Sequence, residues 1–151
     1  MHRQQVLVLS LLMLTAMCAA SAHGQPSSVS ASPASLSLTL LPSVDDSLRA
    51  VASGALSWRS RRFDFRRDKI TVSTFAPGQR YALRVTPTNV RGTARPAGTV
   101  ELVDGRFAQD LIYNIWAPWR GSADLTFEAA ASPDDGAGTD VHVVTYTLTY
   151  Q

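Results

Sequence analysis

Few residues of this chain are of a type that does chemistry, and their spacing does not gather them. There are three histidines, His2, His23 and His142. His142 stands in the terminal stretch DVHVVTYTLTYQ, in phase with Val144, Tyr146 and Leu148. A lone histidine on such an alternating stretch reads as structural. No GxSxG elbow marks a serine nucleophile. Asp134, Asp135 and Asp140 surround Gly136 and Gly138. Three carboxylates in one loop have the chemistry to bind calcium, but they lack the alternate-position spacing of an EF-hand, and Pro-Asp-Asp-Gly favours a turn.

Two aromatic features point to recognition instead. The stretch Trp58 to Lys69, WRSRRFDFRRDK, carries six basic residues, two Asp and three aromatics. Phe63 and Phe65 would be stacking platforms beside an anionic glycan or nucleic-acid backbone. The same charges on an edge strand would discourage aggregation. Trp58, Trp116 and Trp119 would stack on sugar rings if exposed, or fill a core if buried. The set of acid, base, nucleophile and metal ligands that a catalytic centre needs is not assembled. The expectation is a protein that is not an enzyme, with no catalytic residue, metal or cofactor.

The elements that position these residues begin after an N-terminal segment of secretory type. Arg3 and the start amine give charge, VLVLSLLMLTAMC (Val6 to Cys18) gives an apolar run, and Ala20-Ser21-Ala22 gives small residues for a peptidase. Cleavage is expected after Ala22, making residues 1–22 a signal peptide. The run is short for a membrane span. Met17 is too large for the position before a lipidated Cys18. Cys18 is the only cysteine, so the processed chain would have no disulfide and no thiol chemistry. Removing the first 22 of 151 residues leaves 129, one domain's worth of chain. It carries thirteen Lys+Arg (the fourteen less Arg3) against twelve Asp+Glu, a balance that gives no support to a nucleic-acid partner. No second long apolar stretch follows, so no transmembrane helix is expected in the mature chain. The expected location is secreted: periplasm, outer surface or extracellular.

Residues 23–34 are small, polar and proline-bearing, and read as an extended or disordered leader. From Ser35 the pattern is that of strands. Leu36, Leu38 and Leu40 alternate with polar neighbours up to Pro42. Leu48 to Trp58 is weakly patterned. Alternation returns at Ile70 and Val72, at Tyr81, Leu83 and Val85, at Val100 and Leu102, at Leu111, Tyr113 and Ile115, and at Leu125 and Phe127. Asp104-Gly105 signals a hairpin. No helical period occurs after the signal segment. Residues 35–151 are therefore expected to form one all-β domain, an antiparallel immunoglobulin-like sandwich of about 7–9 strands.

The chain's end carries the most specific pattern. Val144, Tyr146, Leu148 and Tyr150 alternate with threonines, Tyr150 is penultimate, and Gly138 is the fourteenth residue from the end. This resembles the C-terminal signature of chaperone–usher pilus subunits, and the last strand is similar to that of spore-coat-U-like secreted domains. The resemblance covers about fourteen residues of the 129, and the disulfide that many such pilins carry is not possible here. It implies a sandwich missing one strand. A periplasmic chaperone lends a strand beside the C-terminal one, and a neighbour's N-terminal extension later replaces it by strand addition. His23 to Pro33 would be that extension. The expected function is a secreted, non-catalytic, fimbrial-like surface-assembly subunit, with self-assembly or a chaperone as partner. A carbohydrate-binding module using exposed aromatics is the alternative.

Overall fold

A computed structural model describes residues 7–14, 27–33, 35–42, 48–60, 66–116, 120–132, 134 and 140–151. The elements are β1 (Leu7–Leu14), β2 (Ser28–Ser32), β3 (Ser35–Pro42), β4 (Leu48–Arg59), β5 (Arg67–Phe75), β6 (Ala82–Arg91), β7 (Arg95–Pro96), β8 (Val100–Leu102), β9 (Gln109–Trp116), β10 (Arg120–Ala131) and β11 (Val141–Tyr150). No α-helix occurs among the described residues. The chain is all-β, built as two antiparallel sheets whose inner faces share a core.

One sheet runs β7-β9-β5-β11-β1-β3. The other runs β4-β10-β6-β8, with β2 and the end of β3 on the free edge of β4. Strand β3 belongs to both: Ser35 to Leu40 pair with β1, and Leu41 and Pro42 pair with β4. Every pairing is antiparallel except β1 with β11.

Alternation makes these strands, because the two-residue side-chain period sends every second residue inward. On β10, Leu125, Phe127 and Ala129 are buried while Asp124 lies outside. On β6, Leu83 and Val85 are buried and Arg84 faces solvent beside Glu101. Leu38, Leu40, Val72, Leu102 and Tyr146 join the same core, and Leu148 packs half-buried against it. The side chain of Leu36 lies outside the described residues.

Two sequence expectations change. Among the described residues, 35–151 hold nine strands, β3 to β11, and two further strands lie outside that range, β2 in the leader and β1 in the signal segment. Ser28 to Ser32 pair with β4 because Val29 and Ala31 supply an apolar face between serines. Asp104-Gly105 does form a turn, with Gly105 at φ 70° and Arg106 N–H donating to Val103 O. It makes no hairpin, since β8 pairs with β6 and β9 with β5 in the other sheet. The turn geometry is local, and which sheet each flanking strand joins is decided by long-range pairing.

Candidate assembly interface

Strand β11 places its expected assembly residues on one inner face. Val144 and Tyr146 are buried, Leu148 is half-buried, and Tyr150 emerges at the rim, 45% exposed, with the Arg66 guanidinium 5.9 Å from its ring centre. Gly138 lies outside the described residues. One edge of β11 is taken by β5 through Val143 to Tyr150. The other edge is taken by β1, running parallel, with Leu11 opposite His142 and Met13 opposite Val144. The far edge of β1 is taken by β3, antiparallel, with Leu7 opposite Leu40 and Leu9 opposite Leu38.

β1 therefore occupies a slot. Among the described strands it is the sole partner of Ser35 to Leu40 and of the second edge of Val141 to Thr145. The slot is bordered inside by Leu38, Leu40, His142 and Val144, each no more than 1% exposed. Its occupant is an eight-residue aliphatic strand, LVLSLLML. An apolar run of that length suits a strand as well as a signal segment, and here it pairs two edges at once, those of β3 and β11.

His142 is fully buried at the head of this slot. Its Nδ1 lies 3.3 Å from the Thr74 hydroxyl, and its Nε2 has no hydrogen-bond partner among the described residues. Burial pulls its pKa below the ordinary 6.5, against the opposing pull of the Asp140 and Asp104 carboxylates. The folded protein thus binds this proton more weakly than the unfolded chain does. Stability is full above the unfolded pKa, falls as pH drops below about 6.5, and levels off once the folded value is passed. The slope cannot exceed one proton, about 1.4 kcal/mol per pH unit. Melting curves between pH 7 and 5 should show this fall, and His142→Phe should flatten it. An unchanged slope in the variant would assign the titration to another group.

The other candidate residues are dispersed. Asp140 is buried, and its Oδ2 accepts the backbone N–H groups of Arg80 and Tyr81. Asp134 is exposed, and Asp135 lies outside the described residues. Trp58 is a core residue at 4% exposure, so its ring is not free to stack on a sugar. Trp116 is 37% exposed, and the Arg67 guanidinium lies 4.8 Å from its ring centre, held by a bond to Asn114 Oδ1. Trp119, Phe63 and Phe65 lie outside the described residues. Asp68 is buried and accepts a hydrogen bond from Ser60 Oγ. It pairs with Tyr150, at the opposite end of β11 from His142. Eight residues of strand separate those ends, roughly 26 Å, so Ser60, Asp68 and His142 form no triad.

The Tyr146 hydroxyl is also buried without a partner among the described residues, and burial pushes its pKa up. With His142 it makes the inner face of β11 polar at two points that a pure core strand would leave apolar. Comparison with known protein families, with curated proteins and with solved structures finds no match to this chain.

Proposed function

We propose that this chain is a secreted, non-catalytic surface subunit that assembles by strand addition, accepting a strand from another polypeptide between β3 and β11. The observation that carries the reading is the slot. Cleavage after Ala22, expected from the sequence, would remove β1. Ser35 to Leu40 and the second edge of Val141 to Thr145 would then face one another with no strand between. Unpaired edges of this kind are templates for another chain. Backbone hydrogen bonds supply the pairing and alternate side chains the selectivity. A sandwich lacking one strand next to its C-terminal strand fits the immunoglobulin-like, pilin-type arrangement that the terminal pattern resembles.

The donor differs from the one the resemblance implies. Ser28 to Ser32 are already paired with β4, with Val29 buried and Ser30 Oγ 2.8 Å from Ser57 Oγ. This stretch would have to leave its own domain to serve a neighbour, which favours a strand from a different polypeptide. Sugar stacking draws less support, because Trp58 is in the core and Trp116 lies beneath Arg67.

The test is thermal melting of the chain from His23 onward, alone and with two peptides. One has residues 7–14 flanked by lysines for solubility; the other has residues 23–41. At a concentration 100 times its Kd, a bound strand stabilises the fold by about 2.7 kcal/mol. The expected result is a higher melting temperature with the aliphatic peptide and little change with the leader peptide. A response to the leader peptide alone would make the subunit self-assembling. A high melting temperature moved by neither would end the strand-addition reading.

A further inference from the structure

We propose that Leu7–Leu14 is a strand donor in cis, so that the uncleaved chain is self-complete and processing is the step that opens the slot. This rests on the strand-addition reading above. In the full chain both edges of the slot are satisfied by residues of the same polypeptide: five positions of β11 and six of β3 are paired with β1. The donor is aliphatic at every position except Ser10 and Met13. Its register sets it between the buried Leu38 and Leu40 on one side and His142 and Val144 on the other.

The physical reason that cleavage would matter is tethering. A strand joined to its acceptor by a short linker is held at an effective concentration of about 1 mM. Hydrolysis of the Ala22–His23 peptide by a signal-peptidase-type protease breaks one C–N bond. Water supplies the hydroxyl of the new carboxyl and a proton to the new amine. The donor is then a free peptide that dilutes away, and the slot can accept a strand in trans. Before that cut, any strand in trans competes against the tethered one. For a trans strand binding the open slot at about 10 µM, that competition weakens its apparent affinity about 100-fold. The signal segment is then a timing device as well as an address: joining to another subunit is disfavoured about 100-fold until processing.

The experiment uses the full-length chain with residues 17–22 replaced by the recognition sequence of a site-specific protease. The probe is a fluorescent peptide of residues 7–14 flanked by lysines. Uncut chain should bind the probe about 100-fold more weakly than the same sample after cutting and removal of the released fragment. Leu9→Asp together with Leu11→Asp in the uncut chain, which leave residues 27–151 untouched, should restore binding without any cut. Equal, tight binding before and after cutting would overturn the cis donor while leaving strand addition in place. No binding by cut chain or by the variant, with the cut domain still melting as cooperatively as the uncut one, would overturn both.

Discussion

Gly121→Ala should lower the melting temperature by about 10 °C. Gly121 on β10 stands directly opposite Trp58 on β4. A Cβ there would run into the Trp58 ring carbons Cζ2 and Cε2, and would come within 2.7 Å of the Arg91 carbonyl oxygen. Neither obstacle can yield cheaply. Trp58 is 4% exposed and enclosed by the core, and Arg91 is backbone, paired with Ser122 on β6. Overpacking a closed site costs about 3 kcal/mol, and for a chain of this size each kcal/mol moves the melting temperature about 3 °C. Gly54→Ala supplies the graded comparison. Its Cβ would lie 3.2 Å from the Ser32 carbonyl oxygen and 3.3 Å from Phe127, contacts that small shifts relieve, so about 1 kcal/mol is expected. Scanning calorimetry of both variants measures this. A Gly121→Ala protein that melts with its parent would mean the indole does not lie over Gly121.

Removing residues 1–22 should be more costly still. The loss strips a partner strand from five positions of β11 and six of β3. Water can re-satisfy those backbone groups, so each hydrogen bond lost costs only about 1 kcal/mol net. Exposure of the apolar side chains bordering the slot, Leu38, Leu40 and Val144, adds to it. A total of about 5 kcal/mol or more is comparable to the whole stability of an ordinary domain. The truncated chain should melt at least about 15 °C below the full chain, and the lysine-flanked 7–14 peptide, at 100 times its Kd, should recover up to about half of the difference. Circular dichroism melts of the two chains at equal concentration read it. Equal melting temperatures would show that the sandwich is complete without β1.

How much of this was legible follows from which forces are local. The alternation of Leu38 and Leu40, Leu83 and Val85, or Leu125 and Phe127 is written in the sequence, and those side chains are buried. A two-residue period with one apolar face has few other homes. β2 was harder to read because its apolar face consists of Val29 and Ala31 among serines, too small a signal to separate from a polar leader. The burial of Trp58 depends on a glycine 63 positions away, Gly121, and no local pattern announces such a pairing. The terminal alternation marked β11 and its Val144 and Tyr146, but the slot beside it needs two more facts. Ser35 to Leu40 leave β4, and the second edge of β11 is paired with β1 alone among the described strands. Both are properties of strand order, which sequence spacing does not carry. The apolar run at Leu7–Leu14 reads as a signal segment for the same reason it suits a strand there: it is short, largely aliphatic and uncharged.

Amide hydrogen exchange, resolved along the sequence in the chain from His23 onward, tests the central claim most directly. The claim is that the processed domain lacks one strand between β3 and β11. Amides of Ser35 to Leu40 and those of Val141 to Thr145 not bonded to β5 should exchange rapidly, while β10, flanked by β4 and β6, stays protected. Adding the lysine-flanked peptide of residues 7–14 should slow exchange in both slot segments together and leave β10 unchanged. Slow exchange across Ser35 to Leu40 with no peptide present would contradict the account, because those amides would already have a partner within the processed chain.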